Sequence, residues 1–135
     1  MFIEESDLSQ GVYVEILSAL SREDANFVAQ NISRAIAEVD GYLNQKYDTT
    51  DLWQQTGDDR NNIIKGLCID VALYHIYSVT EMIPEKIKER YNWAKETLKD
   101  IREGLMKLDI PLWSEKEEEE GGQADFFAGG LNNRY

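Results

Sequence analysis

The sequence contains very little cysteine, proline or histidine. Its one cysteine, Cys68, excludes an intramolecular disulfide framework, and two prolines in 135 residues leave room for long helices. The single histidine, His75, follows Cys68 by seven residues, so the two lie about 10 Å apart along a helix axis. Because that separation is too large for one ion, we predict no metal site. We also predict no bound cofactor.

Long apolar runs and an excess of basic residues are also missing. No segment approaches the roughly 20 apolar residues of a membrane-spanning helix, and Met1–Glu5 lacks the basic start of a signal peptide. Lys and Arg number 14 against 26 Asp and Glu, for a net charge of -12. Since nucleic-acid binding depends on cations that neutralise phosphates, we expect no specific nucleic-acid binding. We expect a protein of a reducing, aqueous compartment that does not contact a membrane.

Motifs for catalysis are missing as well. The chain has no Gly-x-Ser-x-Gly, no glycine-rich phosphate loop, and no second histidine to act as a base. Cys68 lies in an apolar run, where a thiol is usually inert. Asp70 lies in the same run, and three interpretations stay open: pairing with an arginine, exposure on a polar strip, or a catalytic acid with a raised pKa. We predict a protein without catalytic residues.

Helical periodicity is clearest between Pro84 and Leu108. Apolar residues recur there alternately four and three positions apart, which places them in one stripe along a helix: Ile87, Tyr91, Ala94, Leu98, Ile101, Leu105 and Leu108. Pro84 suits the first turn of a helix because its missing N–H is not needed there. Pro111 prevents continuation, so we predict a helix from Pro84 to Leu108.

Two more long helices are predicted upstream. The first runs from Arg22 to Tyr47 with Ser21 as its N-cap, and Gly41 inside it would allow another helix to approach closely. The second runs from Asp58 to Met82. Because the second is apolar on several sides, we expect it at the centre of the fold.

Weaker patterns complete the first 108 residues. Val12–Leu20 is typical of a short helix, and Leu52 and Trp53 should attach the polar connection 48–56 to the core. The fold class is therefore all-α: a small bundle of three long helices plus a short N-terminal helix, over residues 1–108. Residues 109–135 form a separate segment, predicted as a flexible acidic tail.

The segment 109–135 combines charge, glycine and aromatic residues. It holds 7 acidic and 2 basic residues, including Glu117–Glu120, and two Gly-Gly pairs. Like charges repel and glycine resists ordering, so we expect a solvated tail. Aromatic residues beyond such a spacer instead favour a docking segment, and the predicted partner-docking residues are Phe126, Phe127, Arg134 and Tyr135.

Three stretches of the sequence, in order, carry a family pattern. They are Ala35 with Asp40–Tyr47, then Cys68–Tyr74, then Arg90–Gly104. These stretches resemble the Mu-like phage and prophage neck proteins, which are related in build to the head–tail connector proteins of tailed phages. The family pattern is Tyr-Leu-x-x-Arg-Tyr, then Asp-x-Ala-x-Tyr, then Arg-Tyr-x-x-Ala-x-x-x-Leu-x-x-Ile-x-x-Gly. The chain departs from it at Lys46, where arginine is common, and after Tyr47, where the family has Leu-Pro.

The resemblance implies a structural role in the virion, without catalysis. A ring of copies would bridge the portal end of the capsid to the tail, so the implied partners are copies of this chain and a portal, tail or head-completion protein. The implied location is the virion, and the host cytoplasm before assembly. An acidic surface would keep such a ring from gripping the DNA that passes through it, because like charges repel.

One structural pair and one alternative function complete the predictions. We predict that Asp70, on the central helix, pairs with Arg90 near the start of the last helix. The alternative function is a cytoplasmic helical adaptor that binds a protein through its C-terminal aromatic residues. A carboxylate enzyme is the third class, for which no converging set of residues is visible.

Overall fold

The computed structural model describes residues 1–9, 12, 14–22 and 24–114. Within these residues the chain is mostly helical and contains no β-strand, which confirms the predicted all-α fold. The helices are α1 (Glu5–Leu8), α2 (Val14–Ser21), α3 (Ala25–Leu43), α4 (Asn62–Tyr77) and α5 (Glu85–Glu103), and two 3-10 turns lie between α3 and α4 (Leu52–Gln54 and Gly57–Asp59).

Helix α4 packs against both α3 and α5 and forms the centre of the bundle, as predicted. Eleven of its 16 residues are buried. Each flanking helix covers it with one apolar stripe: Val28, Ile32, Ala35, Val39 and Leu43 from α3, and Ile87, Ala94, Leu98 and Ile101 from α5. Since a fully buried Leu or Ile side chain contributes about 1.5–3 kcal/mol, these stripes account for most of the packing between the helices.

The start of α3 differs from the prediction. Arg22 has a φ of +53°, a left-handed conformation that ends α2 after Ser21 and separates it from α3. Asp24, not Ser21, is the N-cap of α3, and its carboxylate accepts a hydrogen bond of 2.9 Å from Asn26 N. The predicted start at Arg22 was therefore wrong, because that residue forms the corner between the two helices.

The end of α3 also comes earlier than predicted. The helix stops at Leu43, and Tyr47 leaves it to form an antiparallel bridge with Leu112. Tyr47 is 1% exposed, and its hydroxyl accepts a hydrogen bond of 3.1 Å from Leu108 N. The prediction for Gly41 was wrong too, since a Cβ at this residue would meet nothing within 4 Å.

Helix α4 is shorter than the predicted 58–82 at both ends. Asn61 is its N-cap, and its side chain accepts a hydrogen bond of 3.1 Å from Ile64 N. At the other end the hydroxyl of Ser78 donates to His75 O at 2.6 Å, and that of Thr80 to Tyr77 O at 2.7 Å. These hydroxyls bond the last helical carbonyls, which ends the helix at Tyr77.

Helix α5 ends at Glu103, five residues before the predicted Leu108. Gly104 has a φ of +85°, and its N–H donates to Ile101 O while Leu105 N donates to Asp100 O. These two bonds form a Schellman motif, a common helix terminator with glycine in the left-handed position. Leu105 was predicted on the core-facing stripe and is 76% exposed, because the chain has already left the helix.

The N-terminal residues and the α3–α4 connection pack together. Phe2 is 1% exposed, and its ring meets the edge of the Trp53 ring with the centroids 5.1 Å apart. Leu52 is buried as well. The predicted attachment of this connection through Leu52 and Trp53 is confirmed, while the burial of Phe2 was not predicted.

The chain after Leu108 stays in contact with the bundle as far as it is described. Asp48 N donates to Pro111 O at 2.8 Å, and the Trp113 indole donates to Asn44 O at 2.7 Å. Residues 109–114 therefore lie against the C-terminal end of α3. The domain boundary at residue 108 stays a prediction, and residues 115–135 of the predicted tail lie outside the described residues.

We expect Gly104→Ala to lower the free energy of unfolding by about 1–2 kcal/mol, because a Cβ is disfavoured at a φ of +85°. A Cβ at this position would also lie 2.9 Å from Lys46 Nζ, so the lysine must shift. Urea denaturation of the full chain measures the change.

The matched control is Gly41→Ala. Gly41 lies inside α3 with open space at its Cβ position, so alanine should raise the free energy of unfolding by up to about 1 kcal/mol. Opposite signs at the two glycines are the expected result. A neutral or stabilising Gly104→Ala would contradict the left-handed cap at the end of α5.

Candidate functional site

The structure brings the predicted pair Asp70 and Arg90 together at the boundary between α4 and α5. Arg90 Nη2 lies 2.6 Å from Asp70 Oδ1, and the side chains are 36% and 11% exposed, respectively. Within the described part of the chain, Oδ1 accepts no hydrogen bond of good geometry. The contact is therefore mainly an electrostatic attraction.

Burial raises the pKa of the Asp70 carboxyl, and the charge of Arg90 offsets only part of that rise. The free-energy cost of desolvating the carboxylate therefore exceeds the stabilisation that Arg90 provides. The pair is also unequal, because the Arg90 side chain is much more exposed to solvent than the Asp70 side chain.

A second polar cluster joins all three long helices at Glu38 of α3. His75 Nε2 on α4 donates to Glu38 Oε1 at 2.9 Å, and the Tyr91 hydroxyl on α5 donates to Glu38 Oε2 at 3.0 Å. The rings of Tyr74 and Tyr91 stack with centroids 3.8 Å apart. Both carboxylate oxygens of Glu38 are thus used to fix the relative positions of α3, α4 and α5.

Burial and the hydrogen bond to Glu38 raise the pKa of the Tyr91 hydroxyl. The role of Glu38 was not predicted. The sequence does contain an indication of this role. Glu38 follows Ala35 by three positions and precedes Tyr42 by four, which is the spacing of the buried stripe on α3. His75 is 5% exposed, so its ring lies in the core beside this cluster.

A third cluster holds the N-terminal segment. Arg60 Nη1 contacts Asp7 Oδ2 at 2.6 Å and Phe2 O at 3.0 Å, while Arg60 Nη2 contacts Asp7 Oδ1 at 3.1 Å. The hydrogen bonds from Arg60 outweigh burial and hold the pKa of Asp7 below its usual range. This pair joins residues 53 positions apart in sequence, so no local sequence pattern predicted it.

A fourth cluster fixes the connection after α3. Asp40 Oδ1 accepts hydrogen bonds from the Thr49 hydroxyl at 2.7 Å and from the Trp53 indole at 2.9 Å. Asp40 Oδ2 accepts a third from the Asn44 amide at 3.1 Å. One carboxylate thus positions the helix end and the connection that follows it.

These clusters account for many of the residues that carry the family pattern. Asp40 and Tyr47 position the chain after α3, Asp70 pairs with Arg90, and Tyr74 stacks on its partner ring. Gly104 ends α5. The contacts of these residues hold the fold together.

Larger apolar side chains are exposed elsewhere on the surface. The most exposed are Met82 (82%), Leu105 (76%), Trp93 (67%) and Val79 (61%). Met1 lines two shallow grooves that are open to solvent and mainly apolar. One groove also includes Ile3, Val28 and Ile32, and the other includes Phe2, Ile36 and Trp53. These are features of an open surface, and neither groove is an enclosed pocket.

No group of three His, Cys, Asp or Glu side chains among the described residues is arranged to hold a metal ion. Cys68 is fully buried, and burial raises the pKa of its thiol. None of the described helices is long and apolar enough to cross a membrane. The predicted docking residues Phe126, Phe127, Arg134 and Tyr135 lie outside the described residues.

Comparison with known proteins gives a family for this bundle. The family model described as bacteriophage Mu, Gp36 matches residues 3–126, which is most of the chain. The chain therefore belongs to the bacteriophage Mu Gp36 family, in agreement with the resemblance to Mu-like phage proteins. No curated protein and no solved structure matches the chain significantly.

We expect the two partners of the Asp70–Arg90 pair to respond differently to substitution. Arg90→Gln leaves a buried carboxylate without its cation and should cost about 1–3 kcal/mol at pH 7. Asp70→Asn removes the desolvated charge and leaves an arginine that can turn to solvent, so it should cost less than about 1 kcal/mol. Urea denaturation of both variants measures the difference.

The pH dependence supplies the control for this comparison. The folded pKa of Asp70 is raised, so its ionisation favours the unfolded chain as pH rises through that pKa. The cost of Arg90→Gln should therefore shrink as pH falls toward the unfolded pKa of about 3.9. Equal costs for the two variants, unchanged with pH, would show that the pair is unimportant to the fold.

The Asp7–Arg60 pair should have the opposite pH dependence. The folded pKa of Asp7 is lowered, so its stabilisation is complete above the unfolded pKa of about 3.9 and is lost as pH falls through the folded pKa. Asp7→Asn should cost about 1–3 kcal/mol at pH 7 and less at pH 3. The exposed Asp109→Asn is the control, and an equal effect at both sites would refute this role for Asp7.

Proposed function

We propose that this chain is a structural protein of the phage head–tail junction that acts by oligomeric assembly and without catalysis. The observation that carries the proposal is the family match over residues 3–126, since membership suggests a phage structural or morphogenetic protein. The finer role, an adaptor between the portal and the tail, is the part that we propose.

The packing of the bundle supports an assembly role. The ionisable groups of Asp7, Glu38 and Asp70 bind other parts of the same chain, and their contacts fix the relative positions of the helices. A subunit fixed in this way needs little reorganisation when it joins a ring, which lowers the entropic cost of binding. The exposed Trp93 and Met82 are residue types that protein interfaces favour.

The partners and location follow from the same proposal. Copies of this chain would assemble on the portal, and a tail or head-completion protein would bind on the other side. Its location is then the virion, and the host cytoplasm before assembly. The net charge of -12 suits a ring through which DNA passes without being held, because like charges repel.

Deletion of the gene from a phage or prophage that carries it tests the head–tail role. We expect lysates that contain DNA-filled heads and separate tails when viewed by electron microscopy, and joined particles when the full chain is supplied in trans. Purified chain should also bind the isolated portal complex of the same phage. Joined, infectious particles from the deletion would overturn the proposal, and so would a chain that fails to bind the portal.

The same experiment separates the alternative adaptor function. An adaptor that uses residues 126–135 on a cytoplasmic protein would leave particle assembly intact in the deletion strain. Truncation after residue 125 would then abolish its binding to that protein.

A further inference from the structure

One flank of α5 carries a row of cations in this acidic protein. Lys88, Lys95, Lys99 and Arg102 are spaced by seven, four and three residues, which places them on one side of the helix. Lys46 extends the row at its C-terminal end, because its ammonium lies 2.9 Å from the position that a Cβ on Gly104 would take. These five residues are called the basic stripe below.

Contacts with aromatic rings hold the basic stripe along the boundary between α3 and α5. Arg102 lies over the Tyr42 ring with its guanidinium carbon 5.1 Å from the centroid, and Lys95 Nζ lies 5.2 Å from the centroid of Tyr91. Such contacts orient a cation without neutralising its charge. Two charges of the stripe, Lys95 and Arg102, are thus held in position.

Few carboxylates of the described chain neutralise this row. Lys99 pairs with Glu96 at 3.6 Å, and both side chains are well exposed. Glu38, whose hydrogen-bond partner Tyr91 also contacts Lys95, already accepts hydrogen bonds through both of its oxygens. Within the described residues, Lys46, Lys95 and Arg102 form no ion pair within 4 Å.

The described chain ends beside the basic stripe. Trp113 N donates to Lys46 O at 3.1 Å, so Ser114 begins the next segment close to Lys46. The six residues that follow include five glutamates, Glu115 and Glu117–Glu120, and one lysine. The densest acidic run of the sequence therefore starts where the row of cations begins.

The lengths of the two elements also agree. Six residues in extended conformation span about 20 Å, and the 14 residues between Lys88 and Arg102 rise about 21 Å along the helix axis. A segment that leaves Ser114 along α5 can therefore place its carboxylates next to the cations at the C-terminal end of the stripe.

We propose that the acidic segment 115–120 binds along the basic stripe of the same chain, from Lys46 toward Lys88. The occupant is the chain's own segment because its attachment at Ser114 gives it a high effective concentration at the stripe. Individual surface ion pairs are weak and screened by salt, so the contact is reversible and loosens at high ionic strength. The proposal does not depend on the head–tail role.

Carbodiimide cross-linking of the full chain tests this contact, because the reagent joins a carboxylate to an amine only when the two touch. At low salt we expect products that connect residues 115–120 to Lys95, Lys99 and Lys46. The control is Lys86 on the same helix, which is exposed and precedes Lys95 by nine residues, or 2.5 turns, so it lies on the opposite side. Its yield should be about tenfold lower, because a segment bound along the stripe cannot reach the opposite side of the helix.

Mixing 14N- and 15N-labelled chains before the reaction shows whether the acidic segment binds its own chain or a second copy. Products within one isotope support binding within a chain, whereas products that mix isotopes overturn it in favour of a second copy. Glu117→Gln, Glu118→Gln, Glu119→Gln and Glu120→Gln together should leave only traces of the product from Glu115. Equal yields at Lys86 and Lys95, or yields unchanged at about 0.5 M salt, would overturn the proposal.

Discussion

Helix α4 is apolar on nearly every side and must be enclosed, and the rest of the bundle follows from that constraint. Eleven of its 16 residues are buried, so neither α3 nor α5 alone provides enough cover. Because apolar side chains lie on nearly every side of this helix, it needs packing partners on opposite sides. The N-terminal segment, with Phe2 and Ile3 almost fully buried, covers what the two long helices leave open.

Enclosing α4 also buries its polar groups, and the flanking helices supply partners for them. Asp70 receives Arg90 from α5, and His75 receives Glu38 from α3. The two solutions are not equal. Glu38 uses both oxygens in hydrogen bonds, whereas the raised pKa of Asp70 shows that its desolvation is only partly compensated. A buried ion pair of this kind contributes more to the choice of the packing surfaces than to the stability of the fold.

The sequence predicted the class of the fold and the centre of the bundle because both depend on apolar periodicity. Helix ends were predicted less well, since they depend on single residues whose effect is conformational. Arg22 and Gly104 adopt positive φ angles that no periodic pattern reveals, and each ends a helix inside a predicted span. The Asp7–Arg60 pair was missed for another reason: its residues are 53 positions apart, and only the tertiary fold brings them together.

The residues that carry the family pattern therefore identify a fold more than a contact with partners. Asp40, Tyr47 and Gly104 fix helix ends and connections, and Tyr74 packs against a neighbouring helix. A surface for the proposed assembly would have to come from other residues, because a side chain already bound within the chain has no free group for a partner. In the described chain exposed side chains of α5, among them Trp93, remain available for that purpose. Helix α5 thus has two separate roles: its buried side encloses α4, and its outer side offers the groups that another segment or subunit can bind.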